Sequence, residues 1–218
     1  MNAAANTTSA TGQVASLVYA DAFGAEPEHT AAARDAARSL GIAAATPGTA
    51  ALLALLARMV GARAAVEIGT GAGVSGLALL AGMEPDGILT SIDLEPEHQA
   101  AARKAIASAG VPNRRARLIA GAGLAVLPKL SDGAYDFVFV DGDPLEYVEY
   151  VEQAARLLRS GGLLVVNHAL AGGTVADSGN EDDETVIIRE ALAATQTMEE
   201  FTPVLLPVGD GLLVALRT

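Results

Sequence analysis

The sequence predicts an α/β fold in which a doubly wound, mostly parallel sheet carries helices on both faces. Short, almost continuously apolar runs alternate with longer segments whose apolar residues recur at helical spacing. The first apolar run, which starts at Ala64, leads into a glycine-rich turn and then a helical pattern. A length of 218 residues and an apolar content of 51% suit a single domain with a large core.

The amino-terminal part of the chain is expected to precede the sheet. Residues 1–12 lack a basic stretch followed by an apolar core, so we predict a disordered tail and not a signal peptide. The single domain is then predicted to span residues 13–218, with helices in residues 13–62. Helical spacing places them at Val14–Phe23, Glu28–Leu40 and Ala50–Val60.

Local signals set the ends of these helices. Gly41 is expected to end the second helix, because glycine readily adopts the left-handed conformation that follows a helix. Thr46 is a predicted N-cap, with Pro47 at the first helical position of the third helix. Since these helices come before the first strand, we expect them to cover the sheet or to form one wall of a ligand site.

Residues 63–218 are predicted to form a Rossmann-like core with seven strands. The strands are expected at Ala65–Ile68, Ile88–Asp93, Ala116–Ala120, Tyr135–Asp141, Leu163–Asn167, Phe201–Leu206 and Gly211–Arg217. The helices of the core are expected at Gly73–Gly82, Pro96–Ala109, Leu124–Leu130, Leu145–Arg159 and Glu184–Thr195. The short link at residues 207–210 favours an antiparallel pair at the sheet edge.

Composition and charge exclude several classes of function. The chain has no cysteine, so disulfides, thiolate chemistry and cysteine metal sites are excluded. A net charge of −12 argues against nucleic acid or an anionic membrane as partner. The most apolar helix, Ala50–Val60, contains Arg58 and is too short to span a bilayer. We therefore expect a cytoplasmic protein with a small, neutral or cationic substrate.

The turn after the first strand is the first candidate binding site. Glu67 heads an acid-x-Gly-x-Gly-x-Gly pattern that ends at Gly73. Glycines allow positive φ and close approach of a ligand, and the following helix start offers free N–H groups, so we expect an adenosine-sized ligand. The dinucleotide fingerprint would need glycine at Val74, which leaves a nicotinamide-dependent oxidoreductase as a less favoured alternative. A third interpretation is an ordinary tight βα turn.

Two more candidate sites follow the second and third strands. Asp93 lies twenty residues after Gly73, where an acid can accept hydrogen bonds from ribose hydroxyls, although it could also cap the next helix. The small residues 121–123 would let an adenine lie against the backbone, and a loop that simply needs small residues explains them equally well. Because the carboxyl ends of parallel strands meet at one edge, these sites are expected to be neighbours.

The chemistry is expected at the ends of the fourth and fifth strands. Asp141 and Asp143 follow one strand, and Asn167 and His168 follow the next. An Asp, an Asn and a His brought together can bind a divalent cation, or His168 can act as a general base near neutral pH. The alternative is that His168 only fills a loop, because packing explains most single histidines. The other two histidines, His29 and His98, lie on predicted exposed helices and are assigned no role.

Several motifs together resemble one enzyme family. They are Glu67-Ile-Gly-Thr-Gly, Ser91-Ile-Asp93, Asp136-Phe-Val-Phe-Val-Asp141-Gly-Asp143, Tyr147-x-x-Tyr150, Leu157-Leu-Arg-Ser-Gly-Gly162 and Leu206-Pro-Val-Gly-Asp-Gly-Leu212. From about Thr46 to the end, the chain is similar to the S-adenosylmethionine-dependent O-methyltransferases of the catechol and caffeoyl-CoA type, in the bacterial branch. The resemblance implies strand order 3-2-1-4-5-7-6, a homodimer, and methyl transfer to a small hydroxylated, catechol-like acceptor.

The resemblance also assigns residues to the cofactor. It places Glu67 and Gly69 at the methionine end of S-adenosylmethionine, Ser75 beside the methionine carboxylate, Asp93 on the ribose and Ala122 by the adenine. The predicted cofactor-binding residues are Glu67, Gly69, Thr70, Gly71, Ser75, Asp93, Leu94, Gly121, Ala122, Asp141 and Asp143.

The chain departs from the family at the catalytic positions. The family's metal ligands fall on Asp141, Asn167 and His168, and its catalytic lysine falls on Pro144. We predict His168 and Asp141 as the catalytic residues, with a divalent cation at Asp141, Asn167 and His168 as an open alternative. A protein that binds S-adenosylmethionine without turnover is the rival interpretation of the same motifs.

Overall fold

A seven-stranded sheet organises residues 10–218, the part of the chain that this computed structural model describes. Residues 1–9, most of the predicted tail, lie outside that part. The strands are β1 (Ala64–Ile68), β2 (Ile88–Asp93), β3 (Ala116–Ala120), β4 (Tyr135–Val140), β5 (Leu158–Val166), β6 (Phe201–Leu206) and β7 (Leu212–Arg217). Their order is β3-β2-β1-β4-β5-β7-β6, which confirms the predicted order.

The pairing of the strands confirms the mostly parallel sheet. Strands β1 to β5 pair in parallel, whereas β7 runs antiparallel to both β5 and β6. The carboxyl ends of β1, β2, β3, β4 and β5 therefore meet at one edge of the sheet, where binding sites of such folds form. The last two strands form the expected antiparallel pair, which lies at one end of the sheet while β3 lies at the other.

Helices cover both faces of the sheet. They are α1 (Ala10–Asp21), α2 (Glu28–Ser39), α3 (Pro47–Met59), α4 (Val74–Gly82), α5 (Pro96–Ser108), α6 (Gly123–Val126), α7 (Tyr147–Leu157) and α8 (Asp183–Thr197). Central strand β4 shows why both faces must be covered, since Phe137, Val138, Phe139 and Val140 are all fully buried. Phe137 and Phe139 pack in the core with α3 and α4, and Val138 and Val140 pack in the core with α7 and α8.

Gly41 and Thr46 act at the ends of the amino-terminal helices as the sequence predicts. Gly41 has φ 70 just past the end of α2, and the Thr46 side chain caps α3 by accepting a hydrogen bond from Thr49 N at 3.2 Å. Helix α3 packs against α4, and the α2–α3 loop reaches the ligand edge of the sheet. Helix α1 begins at Ala10, within the segment expected to be a tail. No helix within residues 10–218 is long and apolar enough to cross a membrane.

The predicted carboxyl end of the helix before β5 is wrong. The helix expected at Leu145–Arg159 ends at Leu157, because Leu158 already pairs with Tyr135 as the first residue of β5. Arg159 is held there by its Nε, which donates to Asp136 Oδ1 at 2.5 Å. Gly161, with φ 78, then allows the chain to bulge before Leu163 pairs with Phe137.

Candidate cofactor and catalytic site

A cavity of about 270 Å³ opens at the carboxyl ends of β1, β2, β3 and β4. The α2–α3 loop, residues 42–45, forms its opposite wall. With the single exception of Glu67, the predicted cofactor-binding residues line it: Gly69, Thr70, Gly71, Ser75, Asp93, Leu94, Gly121, Ala122, Asp141 and Asp143. The structure therefore brings together residues from four strand ends that lie up to 74 positions apart in the sequence.

The β1–α4 turn depends on its glycines for two different reasons. All three have positive φ: 93 at Gly69, 48 at Gly71 and 92 at Gly73. A Cβ at Gly69 would lie 2.1 Å from the carbonyl oxygen of Asp141, so glycine lets β4 approach the turn. At Gly71, by contrast, the nearest atom to an added Cβ is 3.6 Å away, on Ile42 across the cavity. This second glycine keeps the main chain accessible to a ligand.

Asp93 is held at the cavity by backbone donors on both sides. Its Oδ2 accepts a hydrogen bond from Gly71 N at 2.9 Å, and its Oδ1 accepts one from Glu95 N at 2.9 Å. Helix α5 starts after Glu95, so Asp93 is not its N-cap. The carboxylate still borders the cavity, which is the position expected of a ribose ligand.

Glu67 lies beneath the turn and not on the cavity wall. It is fully buried, and Ser91 Oγ donates to its Oε2 at 2.5 Å. Burial raises the pKa of Glu67 to about 7, against the opposing hydrogen bonds from Ser75 and Ser91. Its Oε1 has no hydrogen-bond partner among residues 10–218. A positive charge on a ligand above the turn would stabilise the ionised carboxylate, which suits the ammonium and sulfonium of S-adenosylmethionine.

The cavity wall near Gly121–Gly123 is formed by the backbone of these small residues and by Tyr150 with Glu146. A Cβ at Gly123 would lie 2.7 Å from the Tyr150 hydroxyl oxygen, so glycine is needed there to admit the tyrosine. Tyr150 donates its hydroxyl to Glu146, and both residues line the cavity. Burial, and then the Glu146 carboxylate, raise the pKa of Tyr150, which keeps the hydroxyl protonated as a donor. Leu94, 64% exposed, offers an apolar surface suited to a base.

The three predicted metal ligands are divided between two pairs. Asn167 Nδ2 donates to Asp141 Oδ1 at 2.9 Å, while His168 Nδ1 contacts Asp210 Oδ2. Burial raises the pKa of Asp141 to about 6, opposed by the Asn167 hydrogen bond and by the charge of His168. Asp141 lines the cofactor cavity, whereas Asn167 and His168 are not among its lining residues.

This donor set does not fit a divalent cation. Magnesium prefers several oxygen ligands with negative charge, but one oxygen of Asp141 already accepts an amide hydrogen and His168 is turned toward Asp210. Within residues 10–218, no group of three or more His, Cys, Asp or Glu side chains is arranged to hold a metal ion.

Four elements of the candidate site were not predicted from the sequence. His98, assigned no role, lines the cavity with its Nδ1 3.1 Å from Asp93 Oδ1, and its spacing of five residues from Asp93 was the available signal. Tyr150 and Asp210 belong to motifs shared with the O-methyltransferases, but the sequence assigned them no role; they contact Glu146 and His168. The cavity wall at residues 42–45 has no recognisable pattern, because only the packing of α3 brings it there.

The fold and the site together define a class. A seven-stranded sheet of this order, a glycine turn open to a ligand, a strand-end carboxylate for a ribose diol and a buried acid beneath the turn fit S-adenosylmethionine. These are the features of an S-adenosylmethionine-dependent methyltransferase.

Comparison with known proteins gives the family. The O-methyltransferase family model matches residues 29–218. A Mycolicibacterium smegmatis protein assigned by name to the O-methyltransferases is 49% identical over 201 residues, which cover 92% of this chain and 96% of that protein. The chain belongs to the O-methyltransferase family and is an S-adenosylmethionine-dependent O-methyltransferase. These comparisons give no support to a nicotinamide-dependent oxidoreductase or to a protein that binds S-adenosylmethionine without turnover.

Solved structures agree with this assignment. A Corynebacterium glutamicum protein superposes with a TM-score of 0.87 at 31% identity and covers 95% of this chain and 97% of its own. The O-methyltransferase TomG from Streptomyces achromogenes, involved in tomaymycin synthesis and solved with S-adenosylmethionine, superposes with a TM-score of 0.84 at 30% identity. The matched parts cover 94% of this chain and 96% of TomG.

Proposed function

We propose that this O-methyltransferase acts on a hydroxyl of a small, catechol-like aromatic acceptor, with His168 as the general base. The observation that carries the proposal is the contact between His168 Nδ1 and Asp210 Oδ2, at the strand end next to Asp141. The motif resemblance and a structural relative involved in tomaymycin synthesis support a small-molecule acceptor.

Asp210 is well placed to orient the histidine. Both of its carboxylate oxygens lie 2.9 Å from Gly172 N, and its backbone carbonyl accepts a hydrogen bond from Leu170 N at 3.0 Å. A carboxylate accepts hydrogen bonds, so the proton of the neutral imidazole sits on Nδ1 and Nε2 remains free to accept another. Asp210 thus selects the tautomer that a general base needs.

The backbone of His168 is also unusual. It has φ 55, a left-handed conformation that a residue with a side chain adopts only when the surroundings impose it. Hydrogen bonds from the next two residues, Ala169 and Leu170, to the backbone of the β6–β7 hairpin hold this segment in place. In this conformation the His168 side chain contacts Asp210, while Asn167 pairs with Asp141.

The proposed roles follow from these positions. When bound, S-adenosylmethionine supplies a methyl group to the acceptor oxygen and leaves as the neutral thioether. His168 Nε2 accepts the hydroxyl proton as the new oxygen–carbon bond forms, and Asp210 stabilises the resulting imidazolium. Asp141, fixed by Asn167, borders the cavity next to the base and helps to align the acceptor.

We also propose that the protein is a homodimer that associates through α1 and the neighbouring face of α3. The large apolar side chains of this face are exposed: Val14, Leu17, Val18, Tyr19, Phe23, Leu55 and Met59. Tyr19 and Phe23 lie on the same side, with ring centroids 6.4 Å apart. A group of exposed large apolar side chains is typical of an interface. The cytoplasmic location and the lack of a nucleic-acid partner stay predictions.

A panel of acceptors tests the proposed substrate class. Methyl transfer from labelled S-adenosylmethionine should be detected with catechols and other small hydroxylated aromatics, because a phenol has a pKa near 10 and needs only a modest base. Aliphatic alcohols and amines of the same size are the matched controls and should give background counts. Transfer to an amine and to no phenol would overturn the proposal, while binding of S-adenosylhomocysteine would still report an intact cofactor site.

A further inference from the structure

His98 lies in the cofactor cavity, and the reaction described above gives it no role. It stands in the first turn of α5, and its Nδ1 is 3.1 Å from Oδ1 and 3.3 Å from Oδ2 of Asp93. The imidazole is 26% exposed and its residue lines the cavity together with Asp93. His98 thus contacts both oxygens of the carboxylate that faces the nucleoside end of the site.

Three nitrogen donors surround the Asp93 carboxylate, and they differ in which of its oxygens they contact. Gly71 N holds only Oδ2 and Glu95 N holds only Oδ1, each at 2.9 Å. The His98 Nδ1 lies within hydrogen-bond distance of both oxygens, so it adds a side-chain donor to the two backbone donors that hold the carboxylate. An ionised carboxylate only accepts hydrogen bonds, so Nδ1 carries the hydrogen. Of about four acceptor sites, the three donors leave about one for a ligand hydroxyl.

We propose that His98 is a positioning residue for the nucleoside: it orients the Asp93 carboxylate so that the ribose diol of the cofactor meets a fixed acceptor. The proposal rests on S-adenosylmethionine as the cofactor and on Asp93 as the residue that accepts the ribose hydroxyls. A preorganised acceptor binds more tightly than one that must be ordered on binding, because the ordering is done before the ligand arrives. His98 therefore contributes to affinity specifically through the ribose hydroxyls.

The test compares two ligands in four proteins. Calorimetry measures the Kd of S-adenosylhomocysteine and of its 2′-deoxy analogue for the wild type, His98→Ala, His98→Asn and the control His29→Ala. Loss of a hydrogen bond to a charged group predicts that His98→Ala weakens S-adenosylhomocysteine about tenfold and the deoxy analogue much less. His98→Asn should recover most of the affinity, because the asparagine Nδ2 can take the place of the imidazole Nδ1.

Each other result overturns the proposal. An equal loss for both ligands would show that His98 acts by packing and not through the ribose. Tighter binding by His98→Ala would show that the imidazole competes with the ribose for Asp93. An asparagine variant as weak as the alanine variant, with the thermal stability of the wild type, would also contradict it. Failure of the wild type to bind S-adenosylhomocysteine would instead refute the cofactor assignment itself.

Discussion

Asn167 Nδ2 donates a hydrogen bond to Asp141 Oδ1 at 2.9 Å, so one oxygen of this carboxylate is already engaged by an amide hydrogen. The Asp141 pKa is raised to about 6 by burial, yet the Asn167 hydrogen bond favours the ionised form without any cation. The neighbouring residue, His168, is engaged with Asp210. In the proposed mechanism, side chains alone therefore remove the proton.

Removal of the Asp93 carboxylate should weaken cofactor binding. Asp93→Ala is expected to raise the Kd of S-adenosylhomocysteine by about 10-fold to 150-fold, the effect of losing 1.5–3 kcal/mol of hydrogen bonding to a charged group. Asp93→Asn, which keeps one acceptor oxygen, should lose less. Calorimetry with Asp35→Ala, an exposed residue of α2, is the control. Unchanged affinity in Asp93→Ala would refute the ribose assignment.

Glu67 should make the cofactor-free protein less stable as the pH rises. Its pKa is raised from 4.5 to about 7 in the folded protein, so between these values the native state holds a proton that the unfolded chain has lost. The free energy of unfolding should therefore fall across this window, by about 3 kcal/mol from this group alone, and level off above it.

The variant Glu67→Gln isolates this contribution from those of other carboxyl groups. Urea denaturation at a series of pH values should show the variant gaining stability relative to the wild type between pH 4.5 and 7. The exposed Glu152→Gln serves as control and should follow the wild type at every pH. Parallel curves for Glu67→Gln and the wild type would mean that the buried carboxyl is not protonated in this range.

Loss of the apolar face of α1 should dissociate the proposed dimer. Light scattering of the wild type is expected to give twice the chain mass of 22.0 kDa. The double variant Tyr19→Ser and Phe23→Ser should shift the mass to that of the monomer, because these side chains are 72% and 78% exposed in the single chain. Val204→Ser, on the β6 edge and 50% exposed, should remain dimeric. A monomeric wild type would contradict the proposal.

Much of the fold could be predicted because its signals are local or implied by the motifs. Apolar runs gave β2, β3 and β6 with correct bounds, and Thr46 with Pro47 gave the start of α3. The end of α7 could not be found in this way, because Leu158 is apolar and the surrounding spacing suits a helix. Only its pairing with Tyr135 makes it a strand residue.

Site residues that directly follow a predicted strand could be predicted from the sequence. Contacts between two segments that are distant in the sequence could not. Asp93 and Asp141 end apolar strands, so their place at the cavity follows from the parallel sheet. The pairing of His168 with Asp210 requires β7 to lie beside β5, a neighbour relation that the spacing of the two residues does not encode. Glu67 was expected at the ligand, yet the turn folds over it and buries it.

The most direct measurement of the central claim is the rate of methyl transfer to a catechol in the presence of a chelator. If the His168–Asp210 pair removes the proton, chelator should leave kcat unchanged, and His168→Gln and Asp210→Asn should each lower kcat, the former by about 10²-fold to 10⁴-fold. Both variants should bind S-adenosylhomocysteine as tightly as the wild type, because neither residue lines the cofactor cavity. Abolition of turnover by chelator, with full activity in His168→Gln, would contradict the account.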